Sequence, residues 1–220
     1  MMIKTRFAPS PTGWLHIGGV RTALYSWLYA KKNNGKFYLR IDDTDTTRST
    51  DEYKNSIISA LTQLGLKHDD EITYQSNRFD HYIDKIEELL NKDMAYYDKV
   101  EVNEKTKETD LSVQYENRLN KEGYVIRFKN QKESSVTISD SVHGEITFDP
   151  KVFFDVVILR SNGVPTYNLT SVVDDIDLGI THLIRGDDHL SNLPVQVNLF
   201  ESLNAKVPAF AHLPMIHGVD

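Results

Sequence analysis

Arg6-Phe7-Ala8-Pro9-Ser10-Pro11-Thr12-Gly13-Trp14-Leu15-His16-Ile17-Gly18-Gly19 is the stretch on which the fold turns. Ile3 to Ala8 reads as a short buried strand, and Pro9-Ser10-Pro11-Thr12-Gly13 is a dense turn signal that ends it. From Gly19 to about Asn33, Val20, Ala23, Leu24, Trp27 and Leu28 recur at helical spacing, while Arg21, Lys31 and Lys32 lie off that stripe. Asn33-Asn34-Gly35 stops the helix, and Lys36 to Ile41 is a second strand. Strand, turn, helix, strand is the unit of a right-handed crossover in a parallel sheet, so the expected class is α/β.

Further along, Ser49 with Glu52 has capping-box spacing and opens a helix to Leu64, where Gly65 supplies a C-terminal cap. Another amphipathic helix runs from about Arg78 to Leu90. The character changes from Tyr96 to about Pro150: charged, weakly apolar sequence precedes short alternating stretches at Tyr124 to Phe128 and Val136 to Ile138, which predicts an inserted α+β module. The α/β pattern returns with strands at Phe154 to Leu159, Thr181 to Ile184 and Phe210 to Leu213, and helices near Leu169 to Asp177 and Ser191 to Leu203. The expected organisation is therefore a nucleotide-binding domain over 1–95 and 151–220, interrupted by a module at 96–150.

Composition narrows the classes. Across 220 residues, 40% hydrophobic and 26% charged content is that of an ordinary globular protein able to bury a large core. No apolar run approaches the roughly 20 residues of a membrane helix, and the first residues lack the apolar stretch of a secretory signal. With no cysteine, thiolate nucleophiles, disulfides and Cys-based zinc sites are excluded, and a reducing, cytoplasmic location is expected. Asn168-Leu169-Thr170 is then a chance sequon. The net charge of -7 opposes broad nonspecific binding to nucleic acid while remaining compatible with a local RNA groove. From Pro165 onward only Arg185 and Lys206 face Asp174, Asp175, Asp177, Asp187, Asp188, Glu201 and Asp220.

The opening loop sits where a helix N-terminus offers unpaired amides and partial positive charge, and two glycines permit close approach of a phosphate. A nucleotide site is the natural reading. The Walker loop needs Gly-Lys-Ser/Thr at the helix start and the dinucleotide fingerprint needs three spaced glycines; neither is here. A lone loop histidine is most often a surface or packing residue, but His16 at this position has the geometry to donate to charge developing on a phosphoryl group. Asp42, Asp43 and Asp45, taken alone, read first as a solvated loop or capping group and second as a metal site.

Arg6 to Leu24 closely resembles the opening of bacterial glutamyl-tRNA synthetases, class I enzymes whose His-Ile-Gly-His motif appears here as His16-Ile17-Gly18-Gly19. The resemblance continues through Leu39-Arg40-Ile41-Asp42-Asp43-Thr44-Asp45, Arg48-Ser49-Thr50, Pro165-Thr166-Tyr167-Asn168, Val173-Asp174-Asp175 and Ile184-Arg185-Gly186-Asp187-Asp188-His189. It spans essentially the whole chain and is weakest across the insert. It implies a glutamate pocket of Arg6, Ala8, Ser10, Asp42, Tyr167, Ser171 and Arg185, in which the arginines pair with the substrate's carboxylates and Asp42 receives the α-ammonium. It implies ATP contacts at Pro9, Thr12, His16, Gly18, Gly19, Asp188 and His189, with His16 and Gly18 serving catalysis, and acceptor-end contacts at Thr44 and Arg48. The implied substrates are L-glutamate, ATP as its Mg2+ complex and tRNA(Glu). The sequence leaves the oligomeric state open, with a monomer as the expectation.

The chain departs from the family in three places. Ile41-Asp42-Asp43 and Gly186-Asp187-Asp188-His189 stand where relatives usually have Ile-Glu-Asp and Gly-Glu-Asp-His, so each first carboxylate keeps its charge and loses one methylene of reach. Many relatives carry a Cys-rich zinc knuckle in the insert; here only His143 falls within it, and no structural zinc is expected. In the family, the strand matching Ala211-His212-Leu213-Pro214-Met215-Ile216 leads into a Lys-Met-Ser-Lys-type loop that clamps ATP phosphates. The chain stops at Asp220, so weak activity on its own is expected. A glutaminyl enzyme ranks well behind, because relatives of that kind typically show Pro-Glu-Pro-Asn-Gly and Asp-Asp-Thr-Asn at these positions. Two further readings stay open: a glutamyl-queuosine-type paralogue, and a non-catalytic fragment that binds nucleotide or an acceptor stem.

Overall fold

A computed structural model describes residues 2–45, 47–100, 114–130 and 132–216. Its elements in chain order are β1 (Lys4–Phe7), α1 (Ile17–Lys32), β2 (Lys36–Ile41), α2 (Asp51–Gln63), β3 (Thr73–Tyr74), α3 (Phe79–Asn91), β4 (Ala95–Lys99), β5 (Tyr124–Phe128), β6 (Val136–Asp140), β7 (Gly144–Phe148), β8 (Val156–Leu159), α4 (Tyr167–Asp177), β9 (His182–Gly186), α5 (Leu193–Ser202) and β10 (Ala209–Leu213).

The opening crossover forms as its pattern requires. β1 and β2 pair in parallel, Lys4 opposite Lys36 through Phe7 opposite Leu39, and β3 extends the sheet beyond β2. On the other side of β1 lies β9, joined where Thr181 N donates to Lys4 O at 2.9 Å. β10 pairs in parallel with β9, and the β6–β7 hairpin closes that side. β4, β5 and β8 form a separate antiparallel sheet.

The expected 96–150 module thus shares its pairing with the flanking chain at both ends. β5 pairs with β8, and β6 meets β10 at Asp140 opposite Phe210. The charged stretch 101–113 lies outside the described residues. β3, β4 and β7 escape the sequence pattern. β3 is only two residues long, and β7 alternates mostly between exposed and half-buried positions, so neither writes a clear apolar period.

Three apolar clusters hold the layers. Phe7, Ala23, Phe37, Leu39, Ile41, Ile57 and Leu61 fill the space between the first crossover and α2. Tyr82, Ile86, Phe128, Ile158, Leu169, Val172 and Phe200 join α3, α4 and α5 to the antiparallel sheet. Ile138, Leu183, Leu193, Val197 and Phe210 pack α5 against β6, β9 and β10.

The cap of α2 differs from the expected one. Thr50, not Ser49, is the N-cap, and its hydroxyl accepts from Tyr53 N at 3.2 Å. Ser49 is drawn into the preceding turn, where its amide donates to Asp45 O at 2.9 Å. The helix therefore starts one residue later, and Glu52 falls out of box register.

Gly35 is the tightest point of the crossover. Its amide donates to Ala30 O at 2.8 Å, and a Cβ there would run into the Ile3 carbonyl, the group that accepts from Lys36 N. Backbone on both sides leaves nothing flexible to yield. Gly35→Ala is expected to cost about 1–3 kcal/mol of stability, read as a lower midpoint in urea unfolding at unchanged slope.

Candidate active site

The carboxyl ends of β1, β2 and β9 open on one cavity of about 420 Å³. From β1, the chain crosses over α1 to β2 on one side, while β9 lies on the other, so the crevice sits where the strand order reverses. Of the residues the sequence nominated, Arg6, Ala8, Pro9, Ser10, His16, Gly18, Gly19, Asp42, Tyr167, Arg185, Asp188 and His189 line it. Thr12, Ser171, Thr44 and Arg48 are not among the lining residues. Ser171 is buried one step behind, its hydroxyl accepting from Gln196 Nε2 at 3.0 Å. Arg48 is largely exposed and pairs with Asp45 at 2.6 Å.

The loop explains its own glycines. His16 is the N-cap of α1 but makes no side-chain capping bond, and no acidic residue occupies the first turn. Its ring lies instead over Gly18, where a Cβ would sit 3.0 Å from Cε1 and 3.1 Å from Nδ1. At Gly19 a Cβ would press on Leu15 Cδ1 at 2.7 Å. The first intrahelical bond runs from Val20 N to His16 O at 3.0 Å, so the amides before it are those a helix start leaves for a ligand.

Behind this loop lies a buried ionic lattice. Arg6 donates from Nε and Nη2 to Asp175 at 3.1 and 3.3 Å. Arg40, fully buried, donates from Nε and Nη2 to both oxygens of Asp42 at 2.6 and 3.0 Å, and from Nη1 to Asp175 at 2.8 Å. Asp174 accepts from Gln75, Arg78 and the Tyr82 hydroxyl at 2.7, 2.8 and 2.9 Å. Burial by itself raises the Asp175 carboxyl, but the guanidinium groups of Arg6 and Arg40 outweigh it and hold the carboxyl below its ordinary value. Asp42 reaches the cavity with both oxygens already engaged, which fixes its carboxylate plane.

Arg185 is different. It is as buried as Arg6, yet its donors go to His212 Nε2 at 2.9 Å, Gln196 Oε1 at 2.7 Å and the His189 carbonyl at 3.5 Å. These partners are uncharged, and no carboxylate among the described residues forms an ion pair with it. Burial first, and the neighbouring Arg6 charge among the rest, pull its pKa below the ordinary guanidinium value. His189 beside it is pushed down to about 4 by burial and by Arg185, so its ring is neutral near pH 7. Tyr167 OH lies 3.3 Å from His189 Nδ1. Among the described residues no group of three or more His, Asp or Glu side chains is arranged to hold a metal ion.

Residues 2–220 match the family described as tRNA synthetases class I (E and Q), catalytic domain. The chain belongs to that family. The glutamate–tRNA ligase of Francisella tularensis subsp. novicida (strain U112) is 50% identical over 233 residues, covering 100% of this chain and 50% of that protein. The crystal structure of a glutamate tRNA ligase from Elizabethkingia meningosepticum CCUG26117, in complex with its amino acid, superposes with a TM-score of 0.85 at 34% identity, covering 98% of this chain and 50% of that one. Glutamate-tRNA synthetase from Elizabethkingia anophelis gives 0.86 at 34% identity, covering 100% and 51%. The chain spans about half the length of these relatives.

Within this synthetase fold the sequence reading missed two sets of residues. Arg21 and Thr22 line the cavity from the first turns of α1, and Arg21 also donates to the Pro214 carbonyl. Their spacing of three and four from Gly18 puts them on its face, a signal that was available. Gln196, His212 and Asp140 stand behind Arg185, where no local pattern announces them. The ionic lattice makes a further demand that can be measured. Asp175→Asn leaves Arg6 and Arg40 short of countercharge and is expected to cost about 3–5 kcal/mol in denaturant unfolding. A carboxyl held below its unfolded value binds fewer protons folded than unfolded, so its contribution is present above the unfolded value of 3.8 and is lost as pH falls through the lower folded one. The acid limb of the stability curve should flatten in Asp175→Asn.

Proposed function

We propose that the cavity is the amino-acid-activating site of a glutamate–tRNA ligase. The observation that carries this reading is the Arg185 guanidinium: buried, open to the cavity, and bonded only to uncharged groups. A buried cation without a carboxylate is costly, and a ligand that brings one removes the cost. Arg6 sits close enough for its charge to be felt at Arg185, so an anion between them also relieves mutual repulsion. Glutamate's side-chain carboxylate supplies that anion, whereas glutamine's carboxamide leaves the guanidinium uncompensated.

The remaining residues take roles that follow from position. Asp42, oriented by Arg40, offers a lone pair of a fixed carboxylate to the α-ammonium, with a water bridging if its shorter side chain falls short. Ala8, Ser10 and Tyr167 shape the wall, and Ser171 acts through Gln196. An oxygen of the glutamate α-carboxylate attacks the α-phosphorus of ATP, the bond to pyrophosphate breaks, and glutamyl-adenylate remains. The first amides of α1 and the His16 ring donate to charge growing on the phosphate oxygens, with Pro9, Thr12, Gly18 and Gly19 forming the loop that admits them. Asp188 and His189 border the nucleotide side.

Mg2+ enters as the ATP complex, neutralising phosphate charge. With Asp42 committed to Arg40, Asp188 is the accessible carboxylate of the cavity, so phosphates and water supply most of the ligands. In the second step the terminal hydroxyl of tRNA(Glu) attacks the acyl carbon and AMP leaves. Thr44 and Arg48, outside the cavity on the loop after β2, are assigned to the acceptor end.

Calorimetric titration of the chain with L-glutamate and L-glutamine tests this reading. Glutamate is expected to bind by far the tighter. Arg185→Gln is expected to weaken glutamate by about 2–5 kcal/mol and to erase the preference. Equal affinity of the unsubstituted chain for the two amino acids would overturn the assignment.

A further inference from the structure

Asp140, His212 and Arg185 stand in a row on three neighbouring strands, β6, β10 and β9. Arg185 and His212 are register partners across the β9–β10 pair, and Asp140 faces Phe210 on the next strand over. All three side chains are buried. Arg185 Nε donates to His212 Nε2 at 2.9 Å, and His212 Nδ1 meets Asp140 Oδ2 at 2.6 Å. Asp140 is itself locked: its oxygens accept from the amides of His212, Val142 and His143.

The direction of this chain of bonds follows from chemistry. A guanidinium has five N–H donors and no acceptor, so His212 Nε2 must accept and therefore carries no proton. The single imidazole proton is then on Nδ1, against the carboxylate. His212 is held neutral in one tautomer, and burial depresses its basicity in the same sense.

We infer that His212, oriented by Asp140, is a positioning residue that holds the Arg185 guanidinium in place without giving it a carboxylate as a direct partner, and so sets the preference for a ligand carboxylate over a carboxamide. This rests on the glutamate reading of the cavity. The contrast lies within the same site. Arg6 and Arg40 end directly on carboxylates. At Arg185 an imidazole stands between cation and acid: it satisfies the Nε–H and fixes the guanidinium plane without supplying a counterion that competes with the ligand. Gln196 does the same at Nη1, its other end fixed on Ser171. Asp140 closes the β6–β7 hairpin, so the orientation of Arg185 also depends on a segment that the sequence assigns to the acceptor-end module.

Two substitutions separate this role from a merely structural tie between β6 and β10. An asparagine at 212 places its amide where Nδ1 was, keeping the bond to Asp140 and losing the acceptor for Arg185. A glutamine reaches the Nε2 position, keeping the acceptor and losing the Asp140 bond. Calorimetry with L-glutamate and L-glutamine is expected to give about 10- to 100-fold weaker glutamate binding in His212→Asn, with glutamine affinity little changed, and a smaller loss in His212→Gln. Parental glutamate affinity in His212→Asn would overturn the inference, as would a loss confined to His212→Gln. Should either variant fail to fold, 15N spectra of the unsubstituted chain decide: the inference requires an Nδ1–H tautomer at His212 and a shift of its Nε2 resonance on adding L-glutamate, and an Nε2–H tautomer or an unresponsive ring would overturn it. If the unsubstituted chain binds no glutamate, the reading of the cavity fails first; if it binds and His212→Asn binds equally, only the role of His212 fails.

Discussion

A fully buried arginine sets the terms for this fold. Arg40 lies one residue from the end of β2 with no access to solvent, and a guanidinium there is tolerable only if carboxylates meet it. Asp42, just past the end of β2, and Asp175 from α4 do so, and Asp175 is shared with Arg6 of β1. One set of contacts therefore fixes the separation of β1 and β2 and the depth to which α4 is inserted, although Asp175 lies 135 residues further along the chain than Arg40. Asp174 repeats the arrangement on the next residue, collecting Arg78 and Tyr82 from the region of α3. Replacing such a lattice by apolar side chains often does not cost stability. What it supplies here is position: α4 cannot slide without stripping charges of their partners.

The lattice also determines which charge is left over. Arg6, Arg40 and Arg78 are matched by Asp42, Asp174 and Asp175 in the same interior. Arg185 enters the cavity from β9 with neutral partners, so one buried cation is left without a bonded carboxylate although the chain carries a net charge of -7. The sign of the total charge therefore says nothing of the charge met at this position. On the proposed reading, selectivity for an anionic side chain needs only that no acidic residue of the protein bond Arg185 directly.

How much of this could be read from the sequence depends on how local the cause is. The crossover was legible because β1, the turn and α1 each write their own period within a few residues, and the loop from Arg6 to Gly19 carries its chemistry as a contiguous string. The α2 cap was displaced by one residue because a turn closing from Ser49 to Asp45 competed for it, a contact with no periodic trace. Asp42 follows Arg40 by two, the spacing that sets both on one face of an extended chain, so that contact had a local trace, whereas the bond from Arg40 to Asp175 had none. Gln196 and His212 were invisible as site residues for a stronger reason. Each touches Arg185 only because β9, β10 and α5 are brought together by pairing registers and packing across 11 and 27 residues of chain.

That distance matters for how the site responds to substitution. The opening loop is tied to the chain just beyond β2, where Asp42 N and Thr50 N donate to Pro9 O and Pro11 O. Arg185 is supported by three separate elements, and each donor bond goes to a different one: Nε to β10, Nη1 to α5 and Nη2 to the turn after β9. A planar fork tied at three corners has little freedom to follow a ligand, as the proposed discrimination between a carboxylate and a carboxamide of nearly equal shape requires. The same rigidity means that a shift of the β6–β7 hairpin cannot be absorbed by rotating the guanidinium. Its route to the cavity is the bond chain Asp140–His212–Arg185, which on the proposed reading makes the far edge of the sheet part of the amino-acid pocket in the mechanical sense.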